Sequence, residues 1–553
     1  MSLIVEPIQP VPEETRKVAL AAFPKGNVYL TLRDQFGTPF VDEDFADLFP
    51  DRGQPGLCPW RLALIIVLQF RENLSDRQAA DAVRARIDWK YLLGLELSDP
   101  GFDFSVLCEF RTRLIAGEAE DRLLERLLVR CRDQGLLKAR GKQRTDSTHV
   151  LAAIRELNRL ELVGETMRAA LNELAIVAPT WLKSIAPKAW YERYSRRVED
   201  SRLPRTDAKR QAYAKMVGED GFNLLAHLDT DTTPSEFRQL PKVQALRTAW
   251  ARHFECDEPS SDNPPNVRFK SNREIAKAEE KIESPYDVEA RYRNKRSETW
   301  IGYMMHQSET CDDDTVNLIT HVHTTSADVH EAMCTDKIHA ALSKKGLPPK
   351  EHFADAAYIS ADLLIQSQDD HGIELIGPPR PSPSWQSKIE GGYSIDRFAV
   401  DWSRQVAHCP KGVASQSWNT YANEDGRHYH QVGFPANICR GCDARALCVR
   451  GDAKPRRLQL RPQRQHEALK AARDLIASEE GHRRYARRAG IEGTISQAVR
   501  VFAARRSRYL GLAKTHLQQL AVAAAINLDR IVAWINGRPK APTRISRFAA
   551  LAA

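Results

Sequence analysis

Four cysteines fall close together in one stretch: Cys409, then Cys439, Cys442 and Cys448 in the spacing C-x2-C-x5-C. Four thiolates with one C-x2-C pair, in a segment rich in turn residues, suit a tetrahedral structural Zn²⁺ site. An iron–sulfur cluster would accept the same ligands, and free thiols are the reading without metal. No open His/Glu set lies nearby to make a catalytic zinc. The other six cysteines (58, 108, 131, 256, 311 and 334) are scattered singly, and most of them read as buried thiols. The second chemical feature is electrostatic. Residues 482–508 hold eight arginines (483, 484, 487, 488, 500, 505, 506 and 508) and a single acid, Glu492. A lone carboxylate there is either an ion-pair partner or a group placed beside bound phosphate.

Phosphodiester chemistry would use such a carboxylate. It commonly relies on two divalent cations roughly 3.5–4 Å apart. Mg²⁺ takes a few carboxylates plus water and phosphate oxygens, so acids from separate segments must converge. With 73 Asp and Glu among 553 residues, chemistry alone does not select them. Sequence context does, at Thr145-Asp146-Ser147-Thr148 and Ala354-Asp355-Ala356-Ala357-Tyr358. An isolated Asp near a strand end is more often a turn or cap residue. The formal net charge of +8 favours a polyanionic partner without naming it. His149 and His306, near strand ends, read as satisfied structural histidines, and Trp300 and Trp402 as packing residues.

The elements that must position these residues follow from hydrophobic period. Residues 40–135 read as short helices with basic outer faces. Pro59 opens one of them, and Ser75 with Gln78 forms a capping box at the start of the next. Such a bundle suits DNA binding of helix-turn-helix kind or is a solvated basic face. A short polar strand follows at 142–150, then helical patterning over 151–255. Strand-like segments at 299–308 and 316–324, a helix near 330–345, a strand at 352–358, a helix at 360–370 and a strand at 373–376 give an α/β order. The cysteine-bearing stretch follows, and long helices fill 462–535. On a helix, Tyr485 and Arg488 share one face with Glu492. No apolar run reaches the roughly 20 residues of a membrane helix. The N-terminus lacks a secretory pattern, which implies a cytoplasmic address.

The three acid contexts resemble the DDE transposases of bacterial insertion sequences, in the group with an InsH-type N-terminal domain. Asp146 and Asp355 match the family's T-D-S/G-T and A-D-x-G-Y-x-S contexts, with Ala357 in place of the glycine. Tyr485, Arg488 and Glu492 match Y-x2-R-x3-E-x6-K, but Val499 stands where lysine is expected. Arg500 or Lys514 would then supply that charge. Residues 45–114 resemble the InsH-type domain.

The resemblance implies an α/β multidomain protein with an RNase H-like catalytic core. Its expected parts are an all-α DNA-binding domain (1–135) and a core (140–155 and 285–380) interrupted by a helical insertion (156–284). A cysteine-bearing insertion (381–460), C-terminal helices completing the site (461–540) and a tail (541–553) follow. Asp146, Asp355 and Glu492 would hold Mg²⁺ or Mn²⁺, and Tyr485, Arg488, Arg500 and Lys514 would contact phosphate. The implied partner is double-stranded DNA, both element ends and target, held by a homodimer at the nucleoid. The implied reaction is cleavage at the terminal inverted repeats and strand transfer. A same-fold nuclease that does not join, and a non-catalytic DNA-binding derivative, are the competing readings.

Overall fold

The computed structural model describes residues 2–257, 266–275, 281–295, 297–424, 426–451, 454–538, 540, 548 and 551. Apart from Phe548 and Leu551, the expected tail at 541–553 lies outside the described residues. The chain is mixed α/β, with a six-stranded mixed sheet at its centre.

Helices come first. Helix α1 (Pro59–Arg71) carries Pro at its first turn, where a missing N–H costs nothing. Its run Leu62–Leu68 is almost wholly buried. Helix α2 (Asp76–Ala85) starts on the capping box: Ser75 Oγ accepts from the Gln78 N–H, and Gln78 Oε1 accepts from the Ser75 N–H at 2.9 Å. Helices α3 (Ser105–Ala116) and α4 (Arg122–Asp133) bury leucine and phenylalanine on their inner faces.

Strand β1 (Lys142–Leu151) is the central strand. Helices α5 (Arg159–Val177), α6 (Asp207–Leu228) and α7 (Pro241–His253) then form a separate apolar cluster with the hairpin of Phe254–Cys256 and Val267–Phe269. The sheet resumes with β2 (Arg291–Lys295), β3 (Glu298–Thr310) and β4 (Ile319–Ser326). It continues through α8 (Ala332–Lys344), β5 (Glu351–Ala354), α9 (Ala361–His371) and β6 (Glu374–Ile376). Strand order is β2-β3-β1-β5-β6, with β4 also paired to β3 beyond β2. Contacts β2/β3, β3/β4 and β1/β3 are antiparallel; β1/β5 and β5/β6 are parallel. Gly302, at φ +154°, sits where β3 passes from β2 to β4. A Cβ there would meet the Val150 carbonyl oxygen at 2.2 Å, so only glycine permits that close approach.

Residues 399–460 form a two-stranded and a three-stranded antiparallel sheet around Phe398, Val432, Phe434 and Leu458. Helices α10 (Gln463–Ala477), α11 (Glu479–Ala486), α12 (Gly490–Arg500) and α13 (Leu512–Ile535) follow. Helix α13 is buried on nearly every side because it lies between β4 and α1 in one continuous core. The Asn527 side chain clamps the Ile319 backbone, accepting from its N–H and donating to its carbonyl, both at 2.8 Å. That bond pair satisfies edge groups of β4 that burial would otherwise leave unpaired. Among the described residues no helix is long and apolar enough to cross a membrane.

Two local expectations are corrected. The strand expected over 352–358 ends at Ala354, because Asp355 accepts from the Ala357 N–H at 2.8 Å and turns the chain into a tight 3-10 turn. Tyr485, Arg488 and Glu492 do not lie on one continuous α-helix. A 3-10 turn, Arg487–Ala489, separates α11 from α12.

Candidate active site

Parallel pairing of β1 with β5 sets Thr145 opposite Ala354, so Asp146 and Asp355 are next neighbours at one end of that pair. Asp146 keeps one oxygen on the Ser147 N–H at 2.8 Å. Its other oxygen accepts from Arg488 Nη2 at 2.5 Å. Arg488 Nη1 donates to Glu492 Oε1 at 3.1 Å, an i,i+4 contact that persists across the 3-10 turn. One guanidinium, 342 residues from Asp146 in the chain, therefore bridges two carboxylates. The two ends differ: the Asp146 side chain is 15% exposed and that of Glu492 66%. Glu492 sits in the first turn of α12, where the helix dipole favours an acid.

Burial pushes the Asp146 carboxyl above the usual range, and Asp355 adds to that rise against the pull of Arg488, the Ser147 N–H and Lys295. Tyr485 packs on Cys311, Phe353 and Ile376, and its hydroxyl lies in the field of Arg488 and of all three acids. Arg500 and Lys514 are exposed, and among the described residues neither pairs with the acids. Lys295 on β2, which the sequence did not single out, is a lysine in electrostatic reach of Asp146. It is held by Glu331 at 2.8 Å. A clue lay in the basic run Arg291 to Arg296, but nothing local linked it to Asp146.

A buried cluster supports the acid-bearing elements. Glu309 on β3 is fully buried between Arg144 and Arg530, each at 2.7 Å, and accepts from the Thr494 hydroxyl at 2.6 Å. Burial opposes its charge, yet Arg530 and Arg144 hold its carboxyl below the usual range. Arg144 precedes Asp146 by two residues, and Thr494 follows Glu492 by two. The cluster thus fixes α12 against β1. Arg144 also donates to the Arg487 carbonyl at 2.5 Å, and a Cβ at Gly490 would meet its guanidinium at 2.0 Å.

Much of the basic stretch is engaged by other elements. Arg484 pairs with Glu374 at 2.6 Å, and Arg487 with Asp313 at 2.7 Å. Arg505 donates to Thr148, and Arg508 to the Leu74 carbonyl. His516 lies between Thr324 and Asp121. Arg483, Arg500 and Arg506 stay exposed. His306 is buried between the Tyr358 hydroxyl at 2.7 Å and Cys334, and its pKa is lowered to about 3 by burial. His149 lies against Trp300, 5.2 Å between ring centroids, and Trp402 packs on Trp418 and His466.

Cys409, Cys439, Cys442 and Cys448 line one small cavity with Tyr393, Phe434 and Arg456. Burial raises the Cys448 thiol, and the other three thiols add to that rise. Among the described residues, neither these thiols nor the three acids gather tightly enough to make a metal-holding group as they stand.

Two families match the chain. The transposase DDE domain matches residues 408–532, a span that includes Glu492 and all four clustered cysteines. A second transposase domain matches residues 18–113. No curated protein matches. With one transposase domain matched near its start and the DDE domain near its end, the chain is similar at both ends to the DDE transposases of insertion sequences.

Proposed function

We propose that this chain binds the terminal inverted repeats of its element and carries out metal-dependent DNA cleavage and strand transfer at Asp146, Asp355 and Glu492. The observation that carries the reading is that Asp146 on β1 and Asp355 just after β5 are neighbours, with Glu492 tied to Asp146 through the Arg488 guanidinium. The donors are hard carboxylate oxygens, the set Mg²⁺ or Mn²⁺ prefers. Among the described residues, one Asp146 oxygen is hydrogen-bonded by the Arg488 guanidinium alone. When bound, such ions activate an attacking oxygen and neutralise charge on the leaving one. The protein's own part is positional. Asp146 and Asp355 hold the reacting phosphate's surroundings on the rigid sheet, and Glu492 approaches from α12. Arg488 and Tyr485 face the phosphate, and Arg483, Arg500, Arg506 and Lys514 follow the backbone by charge. Water attacks phosphorus and the P–O bond to the 3′ oxygen breaks, which frees a 3′-hydroxyl. That hydroxyl then attacks a target phosphorus, and no covalent protein–DNA bond forms.

The order β4-β3-β1-β5-β6, three strands antiparallel and then two parallel, supports the RNase H-like reading of the core, with residues 156–284 as a helical insertion. The helices before β1 would be the DNA-binding domain. A homodimer would hold the paired ends. The four thiols around one cavity support a structural Zn²⁺ closing residues 381–460. Val499, half-buried where the family carries lysine, favours the second reading, a DNA-binding derivative without catalysis.

Labelled DNA bearing the source element's ends, with Mg²⁺ or Mn²⁺, separates these. Cleavage and joining by the wild type, lost in Asp146→Asn, Asp355→Asn and Glu492→Gln while DNA binding persists, is the expected result. Binding without cleavage under either metal would leave the derivative, and cleavage unaffected by the substitutions would remove the acid set.

A further inference from the structure

Arg488 holds a position that a catalytic cation would need. Its guanidinium bonds Asp146 and Glu492 at once, with its Nε buried and, among the described residues, without a hydrogen-bond partner. It stands on the 3-10 turn that interrupts α11 and α12. Tightened turns inside helices often mark a functional hinge. Small residues leave one side of it open: Ala486, Ala489 and Gly493 are exposed, and among the described residues nothing lies within 4 Å of a Cβ built at Gly493.

We infer that Arg488 is the resident cation of the acid site in the DNA-free protein, and that it must leave Asp146 for a DNA phosphate before a divalent ion can load. This rests on the metal-site reading above. A bidentate guanidinium suits phosphate as well as carboxylate, so a phosphate arriving on the open side competes for Arg488. Its departure uncovers Asp146 and Glu492 together. Positive coupling between DNA and metal then follows, and coupling of this kind is reciprocal. The protein without DNA would hold divalent ions weakly.

The test is Mn²⁺ binding to the full chain, followed by electron paramagnetic resonance of free Mn²⁺, with and without a short DNA duplex of arbitrary sequence. Removing a unit charge from between two carboxylates should tighten Mn²⁺ binding about tenfold in Arg488→Gln without DNA. The duplex should tighten binding to the wild type by about the same factor and add little to the variant. Arg488→Lys, which keeps the charge, should stay near wild type, and far-ultraviolet circular dichroism checks that each variant is folded. Mn²⁺ bound equally or more weakly by a folded Arg488→Gln overturns the inference, as does a duplex effect that survives the substitution. Mn²⁺ binding that Asp146→Asn and Asp355→Asn leave intact, or no Mn²⁺ binding by any form, overturns the metal-site reading instead, and the inference with it.

Discussion

Two carboxylate–arginine clusters lie within a few residues of each other on the same elements, and their balance is opposite. In the buried one, a single carboxylate, Glu309, meets two guanidiniums and a hydroxyl. In the other, Asp146 and Glu492 share one guanidinium with Asp355 in its field, and Glu492 is largely exposed. The first is saturated with cation and shielded from water, which makes an anchor. The second is short of cation and open on one side, as the proposed site requires. The same residue types therefore differ between the two clusters by stoichiometry and exposure, not by identity.

The comparison is broken most severely at Glu309. Glu309→Gln leaves Arg144 and Arg530 buried without their counter-charge, and should cost about 3 kcal/mol or more of stability, read by urea unfolding. Sharpening it by pH should give a slightly smaller effect. Glu331 is buried, yet hydrogen bonds from Lys295 and Arg293 hold it down to about 2. A carboxyl depressed on folding stabilises above its unfolded value and loses that contribution as pH falls towards its folded one. Up to about 3 kcal/mol should fade between pH ~4.5 and ~2, with Glu309 adding to the loss in the same direction. Glu331→Gln should flatten the acid limb of the unfolding profile. Gly490→Ala comes next. Its Cβ meets a guanidinium that Glu309 has pinned, so about 1–3 kcal/mol should be lost. Least of all, Glu492→Gln should change stability by less than about 0.5 kcal/mol, since the pair it breaks is mostly in water. On the reading proposed here, that same substitution abolishes cleavage.

Local features were legible in the sequence. The strand around Asp146 was expected over 142–150 and runs Lys142–Leu151, and the Ser75–Gln78 capping box forms as its spacing requires. Asp355 was legible as a residue but not as a cap, because the turn depends on a single side-chain bond. The anchor was not legible at all. Glu309 meets Arg144 across 165 residues and Arg530 across 221, and periodicity carries no such pairing. Nor could local charge show that Arg484 and Arg487 are neutralised by Glu374 and Asp313, which left the stretch looking more open to phosphate than it is. The DDE match reaches Glu492 but stops short of Asp146 and Asp355, so the first two acids rest on their own contexts and on the β1/β5 register.

The most direct test of the acid site is anomalous diffraction from crystals of the protein with a DNA duplex and Mn²⁺. The account predicts a manganese peak between Asp146 and Asp355, with the Arg488 guanidinium moved from Asp146 to a phosphate. A map with manganese bound elsewhere and Arg488 still bridging Asp146 and Glu492 would contradict it.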